Sequence, residues 1–187
     1  MPTPSQKLAS SLDILHQLQQ RGVTAIRSKD LSRTHRERLV KNGFLQEVLR
    51  GWYIPSKPGT PAGESTAWYA SFWDFCAAYL QHRLGDEWCL SPEQSLALHA
   101  GNRTVPWQLL VRSPKARNQI TELPHGTSLL DVRAKMPDLA HIVIIEEMRV
   151  FSVPSALVAS SPGFYSAQPT DARAALSMIH STSDLLS

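Results

Sequence analysis

Cysteine is scarce: the 187 residues hold two, Cys76 and Cys89, neither in a CxxC pair nor near a histidine at metal-ligand spacing. A disulfide framework is therefore not what builds the fold. Two isolated thiols suit a reducing cytosol, with one disulfide between them left open. Long apolar runs are scarce too. Met1-Pro2-Thr3-Pro4-Ser5-Gln6-Lys7 lacks the apolar stretch of a signal peptide. The most membrane-like stretch, Trp68–Leu80, is too short to span a bilayer and carries Asp74. These features predict a soluble cytoplasmic protein with no membrane partner.

Catalytic spacings are also missing. The sequence has no HExxH, no GxSxG, no P-loop and no GxGxxG run, and its seven histidines form no cluster. The nearest approach to a nucleophile–base group is His125-Gly126-Thr127-Ser128 with Asp131. A Pro-His-Gly-Thr loop entering a strand explains that segment equally well. Glu146-Glu147 reads as a turn, because neighbouring carboxylates on a strand would face opposite ways. We assign no catalytic residue, metal ligand or cofactor, and the chain is not expected to be an enzyme.

What is present is an ordinary globular composition, 42% hydrophobic and 19% charged, enough for a core without staples. The net charge of +3 is unevenly placed. Between Arg21 and Arg50, eight basic side chains stand against three carboxylates, a surplus of five, so the remainder is net acidic by two. Such asymmetry suits a nucleic-acid-binding segment on a neutral body, and equally a solvated helix face.

The pattern predicts a helix from a Ser5 cap to just before Gly22, then a β-prone step at Val23–Ile26. A brief turn capped by Ser28 follows, then a helix from Ser32 or Thr34 to Asn42-Gly43, with Leu39 and Val40 turned inward. A hairpin through Phe44–Leu49 and Trp52–Pro55 turns at Arg50-Gly51. Helix, short helix, helix, hairpin is the order of a winged helix-turn-helix. Ser56–Glu64, with Pro58, Gly59, Pro61 and Gly63, reads as a linker, which divides the chain into residues 1–57 and 58–187.

In the second part a helix over Ser65–Gly85 carries two aromatic stripes, taken as core: Trp68, Phe72, Phe75 and Tyr79, and Tyr69, Trp73, Cys76 and Leu80. Strands are expected at Trp88–Leu90, Trp107–Val111, Thr127–Val132, Ile142–Ile145 and Arg149–Ser152, the last two pairing across Glu146-Glu147. Helices are expected from Pro92 to His99, over Pro154–Ser160, and from Thr170 or Asp171 to Ile179. Arg112–Asn118 is expected to be a basic loop. The fold class is then α+β: an N-terminal winged helix-turn-helix followed by a mixed α/β domain with a small sheet. Asp184-Leu185-Leu186 reads as the opening of more helix, which predicts a longer native chain.

In a helix-turn-helix the N-terminal residues of the second helix reach base edges in the major groove. Here those are Arg33, Thr34, His35, Arg36 and Arg38, with Lys41 on the Arg33 face. Arg27, Ser28 and Lys29 are placed to hold phosphate, and Arg50 at the hairpin tip to touch backbone or minor groove. The partner is then double-stranded DNA at a promoter or operator. A second basic group, Arg103, Arg112, Lys115 and Arg117, reads first as a solvated loop.

The run from Leu39 to Pro55, LVKNGFLQEVLRGWYIP, resembles the winged-helix signature of AbiEi-type antitoxins: a helix ending L-x-x-x-G-x-L, a strand, then R-G-x-Y. Cys89–His99 is similar to that family's strand-into-helix element opening its second domain. The resemblance implies a bacterial autorepressor that binds inverted repeats near its own promoter and opposes a nucleotidyltransferase-like toxin. It implies DNA contact at Arg27, Lys29, Arg33, Arg36, Arg38 and Arg50. The run from Ile26–Leu31 through Gly51–Pro55, together with Pro124–Ser128, also resembles the region preceding the catalytic domain in some Fic-family proteins. That likeness implies a non-catalytic regulatory module with a C-terminal Fic domain as partner. The Fic signature HPFxxGNGR is absent, so no AMP-transfer role comes to any residue.

Overall fold

The computed structural model describes residues 3–59, 61, 63–181 and 185. The fold is α+β, with seven α-helices and small sheets among those residues. It forms two compact units: Met1–Tyr79 with Leu123–His125, and Leu80–Glu122 with Gly126–Ser187. No helix among the described residues is long and apolar enough to cross a membrane.

The first unit opens with α1 (Pro4–Gln20). Its cap is Thr3, not Ser5. The Thr3 hydroxyl accepts from the Gln6 N–H at 3.3 Å, and the Gln6 side chain accepts from the Thr3 N–H at 2.8 Å. Pro4 fits the first helical position because its missing N–H would have no partner there, and that moves the start upstream. Strand β1 (Ile26–Arg27) leads into a single 3-10 turn, Ser28–Asp30. The Asp30 carboxylate, rather than Ser28, caps this turn by accepting from the Arg27 N–H at 2.8 Å.

Helix α2 (Arg33–Lys41) starts at Ser32, whose hydroxyl accepts from the His35 N–H at 3.3 Å. It ends at Asn42, and Gly43 follows with a left-handed φ of 74°. Leu39 is fully buried, but Val40 is 40% exposed, against the expectation that both turn inward. Strands β2 (Leu45–Leu49) and β3 (Trp52–Pro55) form an antiparallel hairpin, and β1 joins β3 in the order β1-β3-β2. Leu15, Leu18, Ile26, Leu31, Leu39, Leu45 and Tyr53 make one core.

Residues 56–59, 61, 63 and 64 contain no helix or strand. Helix α3 (Thr66–Leu84) follows. Trp68, Phe72, Phe75 and Cys76 are fully buried, whereas Tyr69 is exposed. Trp52 packs edge-on against Phe75 at 5.9 Å and Tyr79 at 5.5 Å, so α3 supplies the aromatic half of this unit's interior.

In the second unit, β4 (Cys89–Leu90) runs into α4 (Pro92–His99), capped by Ser91 with Pro92 at the first position. Strands β5 (Gln108–Ser113), β6 (Gln119–Glu122) and β7 (Ser128–Arg133) complete a sheet ordered β4-β5-β7-β6. β5 and β7 are parallel and the other pairs antiparallel. The expected basic loop is shortened at its start, and a strand the sequence does not suggest follows its end. β5 runs on through Ser113 because Arg112 and Ser113 pair with Val132 and Arg133, and β6 forms on the far edge of β7.

β8 (Ile142–Ile145) and β9 (Met148–Phe151) form a hairpin whose turn is Glu146-Glu147, as the sequence predicts. Both glutamates have positive φ, 46° and 68°, the geometry a two-residue hairpin turn requires. α5 (Val153–Ala159) and α6 (Pro162–Ala167) follow, α6 being a short helix that the sequence pattern does not suggest. α7 (Pro169–Ser177) begins after Gln168, ahead of the expected Thr170 or Asp171, and stops short of Ile179. Asp184 and Leu186 lie outside the described residues.

Both cysteines are free and buried. Burial pushes the Cys76 thiol up and raises Cys89 to about 11, the latter partly offset by Arg112 and Arg149. The folded state thus keeps protons that the unfolded chain releases above its ordinary thiol value of 9.0. Stability is therefore full below that value and declines as pH rises past it. The urea midpoint is expected to fall between about pH 8 and about pH 10, and to fall less in Cys89→Ala. An equal fall in the variant would refute the thiol's part.

Candidate nucleic-acid interface

The basic segment divides by what each side chain touches. Ser11 on α1 is fully buried, one turn before Leu15 on the core face. Its hydroxyl donates to the Lys7 carbonyl at 3.0 Å and lies 2.9 Å from His35 Nδ1. Arg38 Nη1 donates to that hydroxyl at 2.8 Å and to the Lys7 carbonyl at 2.8 Å. His35 and Arg38 therefore join α2 to α1. His35 Nδ1 and Arg38 Nη1 are thereby spent on contacts within the unit.

Arg36 points the other way. Its Nη1 donates to the Ser28 carbonyl at 3.0 Å, and its guanidinium sits 5.9 Å from the centre of the Tyr53 ring. The Tyr53 hydroxyl in turn donates to Glu47 at 3.1 Å, and the same carboxylate oxygen accepts from the Gly51 N–H at 3.0 Å. Ser28 donates to the Gly51 carbonyl through its N–H at 2.9 Å and its hydroxyl at 3.2 Å. These bonds hold the 3-10 turn against the hairpin tip. Lys29, next to Ser28, and Arg50, next to Gly51, come to neighbouring loops; both are exposed.

Arg27 is held by Asp30, with Nε 3.3 Å from the carboxylate. Arg33 reaches Glu37 at 2.6 Å across one helical turn, and the contact holds the Glu37 carboxyl below its ordinary range. Both partners are exposed, so this ion pair opens at little cost to a competing anion. The side chains of Lys29, Thr34, Lys41 and Arg50 make no hydrogen bond or ion pair among the described residues. Thr34, Glu37, Arg38 and Lys41 line one wall of an open groove of about 690 Å³, and Pro4, Lys7 and Leu8 of α1 line the other.

Two exposed basic groups result. One comprises Lys29 and Arg50, borne by the turn and the hairpin tip that Ser28 joins, with the half-buried Arg36 bonded to that turn. The other is the Arg33–Lys41 stripe along α2. Arg27, His35 and Arg38 serve the fold. Ser11 escaped the sequence reading; the signal available was a serine at a helix position otherwise apolar, four residues before Leu15 and seven before Leu18.

Asp131, beside the segment that comes nearest in sequence to a nucleophile–base group, is engaged elsewhere. This carboxylate is fully buried, accepts from the Arg117 and Gln119 N–H groups at 3.0 and 2.9 Å, and pairs with Arg83 at 2.5 Å. It anchors the turn between β5 and β6. The described residues hold no group of three or more His, Cys, Asp or Glu side chains that could bind a metal.

No protein-family model matches the sequence, and no curated protein does. Among solved structures, the chain is similar to the crystal structure of the Rv2827c protein from Mycobacterium tuberculosis, with 15% identity and a TM-score of 0.49. The match covers 91% of this chain and 63% of that one, so the chain spans less than two thirds of that protein's length.

The partition predicts distinct effects on stability. Arg38→Ala leaves the buried Ser11 hydroxyl and the Lys7 carbonyl short of a charged donor and should lower unfolding free energy by about 1–3 kcal/mol. Arg50→Ala should change it by less than about 0.5 kcal/mol. Urea denaturation distinguishes the two, and equal effects would contradict the division.

Proposed function

We propose that this chain is a DNA-binding transcription regulator of antitoxin type, whose first unit is a winged helix-turn-helix. In this reading α2 is the recognition helix and the β2–β3 hairpin is the wing. The double contact of Ser28 with the Gly51 carbonyl carries the proposal, because it joins the turn that bears Lys29 to the hairpin tip that bears Arg50, and Arg36 of α2 bonds to the same turn. Two lysine- or arginine-bearing loops beside an exposed helix suit a phosphate backbone, whose regular charges are met by flexible cations.

Arg33, Thr34 and Lys41 are then the α2 side chains available to a groove, with Arg33 exchanging Glu37 for a base edge or phosphate. Arg36 supports the turn and offers its remaining donors to DNA. Arg27, Ser28, His35 and Arg38 act indirectly, by holding the elements that present the others. The second unit is the region that opposes a partner toxin, with no catalytic role of its own.

Fluorescence anisotropy with duplex DNA from the region upstream of the coding sequence, over a range of salt, tests this. Affinity should fall linearly on a log–log scale, and Lys29→Ala and Arg50→Ala should each lower the slope by about one. Exposed residues are the right targets, since loss of Arg38 weakens the fold as well. Equally weak binding to any duplex, unaltered by these variants, would defeat the reading and favour a protein partner such as a Fic domain.

A further inference from the structure

The second unit holds a pair of arginines that the DNA-binding reading leaves unused. Among the basic residues of its sheet region, Arg103 pairs with Glu146 at 3.0 Å and Lys115 with Glu87 at 3.0 Å. Arg112 differs. Its guanidinium lies 5.5 Å over the Phe151 ring and makes no hydrogen bond or ion pair among the described residues. Arg149 on β9 is more deeply set, its side chain only 15% exposed. Its Nε is buried with no hydrogen-bond partner, and the Asp86 carboxylate stands 3.6 Å from Nη1, beyond hydrogen-bonding reach and itself 80% exposed.

Phe151 and Cys89 relate the two arginines. Arg149 and Phe151 are two residues apart on β9 and share a face of that strand. Arg112 lies over the Phe151 ring and pairs in register with Cys89 of β4. Both arginines also act electrostatically on the Cys89 thiol. One permanent positive charge therefore lies on Phe151 without an anionic partner, and a second extends from the same face of β9 with a buried, unmatched Nε and only a distant, exposed carboxylate. A buried donor without an acceptor is costly, and like charges placed together add to that cost. An anion at this position removes both.

We propose that Arg112 and Arg149 form a binding site for a phosphate group of a small phosphomonoester, with Arg149 Nε among the donors. Two guanidinium forks require more acceptor oxygens than one carboxylate supplies, whereas a phosphomonoester presents three on a tetrahedral centre with up to two negative charges. The Phe151 ring forms the apolar floor and keeps Arg112 in place. The site lies wholly in the second unit and uses none of Lys29, Arg33, Lys41 or Arg50. It therefore stands or falls apart from DNA binding.

The test is NMR of the arginine Nε–H resonances in the full chain, titrated with inorganic phosphate and then glycerol phosphate at constant ionic strength, with acetate in a parallel titration. The Arg112 and Arg149 signals should shift saturably with both phosphates and not with acetate. Arg112→Gln should weaken phosphate binding about tenfold or more, as loss of a charged hydrogen bond implies. Arg50→Ala should leave it unchanged. Arg149→Lys, which keeps the charge but loses Nε, should also weaken it. Arg112 lies on the half-exposed side of β5, so its variant serves if changes at Arg149 prevent folding. Absence of saturable shifts at these two residues overturns the proposal. So does an equal response to acetate, or unaltered affinity in Arg112→Gln.

Discussion

One carbonyl organises the first unit. The Gly51 oxygen accepts both the N–H and the hydroxyl of Ser28, and Glu47 secures the Gly51 N–H from the other side. The closeness of this contact dictates the residue. Gly51 has φ +80°, and a Cβ there would lie 2.9 Å from the Ser28 hydroxyl oxygen. A side chain would need both an unfavourable backbone and a displaced turn. Through this junction the hairpin, the 3-10 turn and, by way of Arg36, α2 take fixed places, and the exposed cations inherit their spacing from it.

The arginines illustrate how one residue type divides between two tasks. Arg38 and Arg33 stand five apart on α2, which turns them to different sides of the helix. Arg38 meets a buried serine and a helix carbonyl and becomes part of the packing between α1 and α2. Arg33 meets only Glu37 in solvent. Arg112 and Arg103 divide similarly in the second unit, one over an aromatic ring without an acceptor and the other with a carboxylate. Charge along the sequence therefore measures how much cation is present, not how much is available to a ligand.

Legibility followed the range of the interaction. The Ser32 and Ser91 caps, Pro92 at a helix start, the Asn42-Gly43 stop and the Glu146-Glu147 turn are decided within a few residues, and each was readable. β6 was not, because Gln119–Glu122 has no apolar alternation of its own and becomes a strand by pairing with β7. The length of β5 follows in the same way from its parallel register. Asp131 gave no sign of its role, because Leu129, Leu130 and Val132 around it say nothing of its partners. Its oxygens are engaged by Arg83, Arg117 and Gln119, the first of these 48 positions away.

The sequence alone determined the α+β character, the order of helices and hairpin in the first unit, the aromatic face of α3 and the basic surplus between Arg21 and Arg50. Each is written in local periodicity, capping chemistry or composition. Tertiary structure alone decided that Ser11 binds Arg38, that the Ser28 turn closes on the Gly51 carbonyl, and that Arg112 lies over Phe151. Those are meetings of groups whose separation along the chain carries no trace in either segment. Which donors find an acceptor is settled only when packing brings the two surfaces together.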